Sequence, residues 1–444
     1  MVATLHIAST LSAPFNRKLS MYYFKLTIST TVLMVLWIAV TIFGGLYGWW
    51  MNPIASAGDT EGFFHKATEI IVEENRGNAA FLIIESGKIV KEYYSNTKDP
   101  IDKDTVFATA SMSKWLTASA IMKLVQDQKI DLDLPISSYL TRWQLPPSEF
   151  DNDDVTTRRL LSHTAGLTDG LGFGDYQADE KIPTLEQSLS APRASTNRQV
   201  EISVKVQPGA KWSYSGGGYL ILELLIEEVS GITFQEYMNL EFFNPLNMSR
   251  STYSYMANIS NNAGSYDHNG DSAPVYQYAS NAATGFSTSS ADLAKFVLAQ
   301  LPELNTAAIL DRGILESMRR PYGRTLGFDI WGLGTILYAP TGNNDFVFGH
   351  DGGNDPAINS TARINPANGD AIILLETGHL SLATNIGSQW VLWQTGYPDV
   401  LDTAAVIASM YLPGWIGLAF LLVVSFYVGY RHYRQLISAN NQQK

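Results

Sequence analysis

Residues 111–126 read Ser-Met-Ser-Lys-Trp-Leu-Thr-Ala-Ser-Ala-Ile-Met-Lys-Leu-Val-Gln. From Lys114 to Gln126 the apolar residues recur every three to four positions, the period of a helix with a buried face. Ser111 and Lys114 then sit about one turn apart on the same side. At a helix N-terminus, backbone N–H groups and the positive end of the dipole favour an oxyanion. An amine one turn along can polarise or deprotonate the serine hydroxyl. Alone, so short a pattern reads first as an N-cap serine followed by an exposed lysine, and its weight depends on its neighbours.

Working outward, Ala79–Ile84 and Ile89–Tyr94 are short apolar, β-branched and aromatic runs separated by Glu85-Ser86-Gly87-Lys88, a hairpin signal. Near the other end, Arg324–Leu337, Asp345–Phe348 and Ala371–Leu375 read as strands, with Asn368-Gly369 as a turn. Between them, Tyr219–Val229, Phe234–Asn239 and Ala291–Gln300 have helical periodicity. Gly231 stands at a C-cap position, and Ser289 or Ser290 at an N-cap. One sheet closed by early and late strands, with a helical region inserted, accounts for this order. The stretch 165–200 has poor periodicity and reads as a lid or rim.

Much chemistry is excluded. The chain has no cysteine, so disulfides, thiolate nucleophiles and iron–sulfur clusters are ruled out. The seven histidines show no HxxxH or HExxH spacing, which gives a metal site little support and implies no metal and no cofactor. No GxSxG and no GxxxxGK[ST] occurs. Gly170-Leu171-Gly172-Phe173-Gly174 lacks the spacing of a dinucleotide loop. A net charge of −12 offers no strongly basic surface, which argues against nucleic acid as a partner.

Further motifs carry more. Leu160-Leu161-Ser162-His163-Thr164-Ala165-Gly166-Leu167 resembles the LLxHTSGL signature of the penicillin-binding-protein-like serine hydrolases. That superfamily includes class C β-lactamases, D-alanyl-D-alanine carboxypeptidases and related esterases. Pro208-Gly209-Ala210-Lys211-Trp212-Ser213-Tyr214-Ser215-Gly216-Gly217-Gly218-Tyr219 resembles its PGxxxxYSNxGY motif, and Phe348-Gly349-His350-Asp351-Gly352-Gly353 its KTG or HxG motif. Asp131–Pro135 and Gly285–Thr288 fall in the same order. The resemblance runs from about residue 65 to 395. It implies an α/β (α+β) β-lactamase-like fold: an antiparallel sheet of N- and C-terminal strands, flanking helices and an inserted helical region.

The resemblance also implies roles. Ser111 would be the acylated nucleophile and Lys114 its activating partner. Tyr214 would be general base and proton donor to the leaving group, its pKa lowered by the nearby cation. Backbone N–H groups of Ser111 and Gly353, next to Gly352, would form the oxyanion hole. His163, with Asp169 nearby, invites a Ser–His–Asp reading, but the resemblance puts it in a structural turn. Gly216 stands where many relatives carry a substrate-contacting Asn, and Gly216-Gly217-Gly218 reads as a roomy, flexible edge. His350 replaces the lysine that binds a substrate carboxylate. It would be mostly neutral at pH 7 and gain charge below about pH 6.5. Both changes shift the expected substrate away from penicillins, towards esters or D-amino-acid peptides.

Both ends read as membrane segments. About 24 apolar residues up to Trp49 would span about 36 Å as a helix, against a hydrocarbon core of about 30 Å. A second uncharged run goes from Thr403 to Tyr430. Arg17, Lys18 and Lys25 precede the first, and Arg431, His432 and Arg434 follow the second, which places both termini in the cytoplasm. The expected layout is a tail over 1–24, a transmembrane helix over 25–50, a hydrolase domain over 58–395, a second transmembrane helix over 408–430 and a tail over 431–444. Ala55-Ser56-Ala57 would make the first helix a cleavable signal instead. Gly44 and Gly48 form a GxxxG pair that would pack the two helices together.

The function expected is therefore an extracytoplasmic, membrane-tethered serine hydrolase using Ser111, Lys114 and Tyr214 on an ester, amide or D-amino-acid peptide, with small-molecule or cell-wall-derived substrates and the lipid bilayer as partners. The alternatives are a membrane penicillin-binding sensor and a catalytically inactive binding protein. Tails of about 24 and 14 residues are short for a sensor's output domain, which needs roughly 40.

Overall fold

Ser86 and Gly87 both have positive φ, 46° and 77°, the two-residue turn whose twist matches that of its strands. They join β1 (Ala79–Glu85) to β2 (Lys88–Tyr94). With them in the main sheet are β3 (Gly323–Thr325), β4 (Phe328–Trp331), β5 (Ile336–Pro340), β6 (Phe346–Asn354), β7 (Ile358–Asn365) and β8 (Asp370–Thr377). They form one eight-stranded antiparallel sheet in the order β2-β1-β8-β7-β6-β5-β4-β3, so early strands pair directly with the last one. The computed structural model describes residues 13–95, 97–170, 175–193, 200–301, 308–342 and 344–441, and the sheet belongs to a compact unit spanning Pro53–Leu401.

Successive side chains of a strand point to opposite faces, and here both faces are covered. Leu82, Ile84, Phe348, Ile364, Ile373 and Leu375 join a core with Trp115 and Leu220. Their neighbours Phe81, Ile83, Val347, Ile372 and Leu374 join a second core with Phe63, Ile71 and Trp390. The first core draws on α2 (Ser113–Gln126), α3 (Gly216–Ser230) and α4 (Ser290–Ala299), the second on α1 (Thr60–Glu74) and α5 (Leu382–Thr395). Burial on both faces makes β1 and β8 continuous apolar runs. Gly231 closes α3 with φ 76°, and the Ser289 side chain caps α4 by accepting from the Asp292 amide.

Three elements depart from expectation. β7 and the helices α1 and α5 were not foreseen. β7 reads Ile-Asn-Ser-Thr-Ala-Arg-Ile-Asn, yet every residue in it is buried. Its polar groups are satisfied across the fold: Arg363 pairs with Asp351 (2.9 Å) and Asp399 (2.6 Å), and Ser360 donates to the Thr109 carbonyl (3.0 Å). The single run Arg324–Leu337 is three strands, reversed at Leu326-Gly327 (φ 50° and 86°) and again before Ile336. Of the expected lid and the Gly170–Gly174 loop, residues 171–174 and 194–199 lie outside the described residues.

The second unit comprises the helices Ala13–Leu46 and Thr403–Asn441. Both are long and apolar enough to cross a membrane by length and composition. They pack on each other: Thr30 Oγ1 donates to Ser425 Oγ (2.8 Å) and Trp37 Nε1 to the Pro413 carbonyl (3.2 Å). The close approach uses glycines other than the expected pair. A Cβ at Gly45 would lie 2.2 Å from Met410, and one at Gly417 1.9 Å from Trp37. Gly44 instead faces Trp50, and Gly48 lies past the helix end with φ 74°.

The Arg363 network yields a prediction. Replacing Arg363 with Ala leaves two carboxylates without their cation in the interior. Breaking one partner out of a buried pair costs about 3–5 kcal/mol. Urea unfolding of Arg363→Ala should show that loss, and a change below about 1 kcal/mol would show that the network contributes little.

Candidate active site

The turn entering α2 is held from several sides. Ala110 has φ 47°, a left-handed conformation that costs a non-glycine residue about 1–3 kcal/mol and persists only where its surroundings enforce it. The enforcing groups are identifiable. Ser113 Oγ donates to the Ala110 carbonyl (2.6 Å) and accepts from the Phe286 amide (2.9 Å). Thr109 Oγ1 donates to the Phe286 carbonyl (2.8 Å). The short 3-10 turn Ala110–Met112 then delivers Ser111 to the head of α2.

Lys114 is fully buried. Its Nζ lies 3.3 Å from Ser111 Oγ and 2.8 Å from the Ala283 carbonyl, 4.9 Å from the centre of the Tyr214 ring and 5.5 Å from that of Tyr219. Burial disfavours the ammonium and pulls its pKa down to about 7, opposed only in part by the Asp169 charge.

Tyr214 comes from the loop that enters α3 and shares a hydrogen bond with Ser111. Burial drives its pKa above that of a free phenol, against the smaller effect of that hydrogen bond. The expected lowering by a cation therefore does not occur, because desolvation of the phenolate outweighs it. The phenol is protonated at neutral pH, and Lys114 is the group poised to change its proton.

His163 stands behind Tyr214, the two rings 4.4 Å apart. Its Nδ1 accepts from the Ser215 amide (3.1 Å), and burial holds its pKa well below the usual value, so it is neutral. Asp169 does not bond to it. That carboxylate takes the Ser215 hydroxyl and the Gly217 amide (2.8 Å) instead. Both residues thus fix the peptide that carries Tyr214.

The glycines after Tyr214 form the first turn of α3 and are buried. A Cβ at Gly217 would come within 2.7 Å of Ile202 and 3.1 Å of Asp169. Far from a roomy edge, this is a close-packed one, and Gly217 is needed for the approach.

His350 lies on β6, and neither a charged anchor nor a solvent-facing ring describes it. It is buried, its Nδ1 donates to the Asp351 carbonyl, and its ring meets Trp331 edge-on at 5.4 Å. Burial, helped by the Lys114 charge, lowers its pKa to about 3. Two residues on, Gly352 abuts the serine turn: a Cβ there would lie 1.9 Å from the Thr109 carbonyl. Gly353 is exposed, and a Cβ there would make only ordinary contacts, 3.7 Å from Asn359 Nδ2 and from the Ile358 carbonyl. β5 pairs with β6 only over Phe346–Gly349, which leaves one edge of Gly352-Gly353 without a strand partner.

Ser111, Lys114 and Tyr214 therefore meet, with β6 alongside. Two contributors had no legible sequence signal as site groups. The Ala283 carbonyl acts through backbone alone, although Gly285–Thr288 pointed to its loop. Trp331 donates to the Leu161 carbonyl (3.1 Å) and packs against His163, Tyr214 and His350. Among the described residues no group of three metal-ligating side chains converges.

Comparison with known proteins bears on the family and the fold. Residues 63–387 match the model of the Beta-lactamase family. Penicillin-binding protein 4* of Bacillus subtilis (strain 168) is 29% identical over 188 residues, covering 41% of this chain and 39% of that protein. The chain thus spans about two fifths of that relative's length. The octameric penicillin-binding protein homologue of Pyrococcus abyssi has the same fold, with a TM-score of 0.61 and 24% identity over 75% of this chain and 77% of that one. So has the D-amino acid amidase of Ochrobactrum anthropi SV3, with a TM-score of 0.57 and 20% identity over 80% and 99%.

Because His350 binds a proton when unfolded but resists one when folded, its contribution raises stability with pH between about 3 and 6.5 and is lost as pH falls through that window. His350→Asn should therefore reduce the acid-side loss of stability in melting experiments between pH 6.5 and 4. Parallel curves for both proteins would mean that His350 titrates normally.

Proposed function

The chain belongs to the Beta-lactamase family, and on that premise we propose that it is a serine hydrolase in which Ser111 forms an acyl-enzyme. Neutral Lys114 accepts the Ser111 proton as Oγ attacks the acyl carbon. The negative charge on the carbonyl oxygen is stabilised by the backbone N–H groups of Ser111 and Gly353, and Gly352 allows β6 to lie close enough to supply the second. The protonated phenol of Tyr214 gives its proton to the leaving group and regains one from Lys114 as the tetrahedral intermediate collapses. Water then cleaves the acyl-enzyme by the same groups in reverse. The observation that carries this reading is the buried amine 3.3 Å from Ser111 Oγ, with its pKa brought to about 7. A general base is most effective with a pKa near the operating pH.

The substrate proposed is an ester, or the amide or peptide of a D-amino acid. A neutral His350 gives no cation for a carboxylate, and Gly216 gives no side-chain amide. The fold shared with a D-amino acid amidase supports the amide reading. We further propose that the two apolar helices anchor the hydrolase to the membrane with both termini cytoplasmic. Their exposed apolar side chains, Phe24, Leu36, Trp415 and Phe426 among them, support this, as do the flanking positive charges.

Four outcomes are expected. The kcat/KM for a neutral p-nitrophenyl ester should rise with pH and level off above about 7, as Lys114 loses its proton. Lys114→Met should lower it by about 10²–10⁴-fold, the usual worth of a positioned base. A profile that is flat from pH 5.5 to 9 would remove Lys114 from the role. The ratio of kcat/KM for a carboxylate-bearing ester to that for a neutral one should stay flat between pH 5.5 and 8, whereas a rise below pH 6.5 would make His350 a cation after all. In spheroplasts, added protease should digest the 53–401 region and spare a C-terminal tag; digestion of the tag alone would reverse the topology.

A further inference from the structure

The loop Asn281–Gly285, whose Ala283 carbonyl holds Lys114, has a second neighbour. It borders a cavity of about 290 Å³ that is also lined by Ala108, Tyr253, Tyr255, Tyr276 and Tyr278. Among the described residues Glu223 is the only charged one in this lining. It projects from the middle of α3 and is buried. Its Oε2 accepts from the Ala282 amide (3.0 Å) and from Ser280 Oγ (3.4 Å), both neutral donors. Glu223 forms no ion pair among the described residues. Beside it, the buried hydroxyl of Tyr253 has no hydrogen-bond partner among the described residues, and the two side chains interact electrostatically.

A buried carboxyl without a cation is costly, and the cost shows as a pKa pushed up to about 8 by burial. An aromatic-walled cavity with one carboxyl in its wall has the chemistry that receives an organic ammonium: ring faces attract the cation and the carboxylate takes its N–H bonds. An ammonium there would restore the missing countercharge, and the Tyr253 oxygen would be free to accept from it. A neutral group would gain at most a hydrogen bond from Glu223, and an anionic one would be repelled.

We propose that this cavity is the subsite for a cationic amine group of the substrate, with Glu223 as its binding carboxylate. The inference rests on the serine-hydrolase reading for the word substrate, but the binding itself does not. The cavity and the Ser111–Lys114 pair share one loop, and Ala108 in its wall stands three residues before Ser111, which puts the cavity next to the serine turn.

The test compares benzylammonium with benzyl alcohol, which has a similar ring and no charge, by isothermal titration calorimetry at pH 8 on the full chain in detergent micelles. Wild-type and Ser111→Ala proteins should bind the ammonium at least about tenfold more tightly than the alcohol. Glu223→Gln keeps an acceptor for the Ala282 amide and should abolish that preference. Ser254→Lys adds a positive charge on the exposed cavity lining and should weaken ammonium binding about fivefold or more while leaving the alcohol unchanged, which serves if Glu223→Gln does not fold. Benzylammonium should also inhibit turnover of a neutral ester competitively. Equal binding of the two probes, a preference that survives Glu223→Gln, or noncompetitive inhibition would overturn the proposal. Absence of all ester turnover would defeat the hydrolase reading while the calorimetry on Ser111→Ala still decides the subsite.

Discussion

The desolvation of one amine governs the site. In water a lysine is an ammonium with a pKa near 10.4 and no use as a base at neutral pH. Buried under two tyrosine rings, with a single backbone carbonyl as its close partner besides Ser111, Lys114 titrates at about 7. A full counter-ion would undo this by holding the proton on. Asp169 is the charge that opposes the shift, and its oxygens are committed to the Ser215 hydroxyl and the Gly217 amide. The same burial keeps the Tyr214 phenol protonated and His163 and His350 neutral. One physical effect therefore assigns protons across the site: it pulls the proton off the amine, keeps it on the phenol and leaves both imidazoles neutral.

Rigid elements hold that arrangement. The left-handed Ala110 is locked by Ser113, Thr109 and the Phe286 backbone. β6 presses against the same turn through Gly352, and β7 reinforces it when Ser360 bonds to the Thr109 carbonyl. On the opposite face of the sheet, Arg363 ties β6 to the segment after α5 through Asp351 and Asp399. The sheet that carries the core thus also fixes the turn that presents Ser111.

Much of this was legible in the residues. The Ser86-Gly87 turn, the helix beginning near Lys114, the Gly231 cap and the closing of early on late strands follow from local rules, and the motif order led to the three residues that meet. What escaped was whatever depends on burial created by distant chain. β7 is polar in sequence, and only Arg363's two carboxylates and Ser360's contact with Thr109 make it a buried strand. His350 looks like a titrating imidazole until Trp331 and the sheet enclose it. Tyr214 looks open to acidification by a cation until its surroundings exclude water. Gly216–Gly218 suggests slack, whereas Asp169 and Ile202 show that Gly217 is there for close approach. The Gly44–Gly48 pair has GxxxG spacing, but Gly45 and Gly417 are the positions where the helices touch large side chains.

The most direct test of the account is to quench the full-length protein seconds after mixing with p-nitrophenyl acetate and to locate the acetyl group by peptide mass spectrometry. If Ser111 is the nucleophile and Lys114 its base, the acetyl lies on the peptide containing Ser111 and forms at pH 8 but far more slowly at pH 5.5. An acetyl found only elsewhere, or formed on Ser111 at the same rate at both pH values, would contradict it.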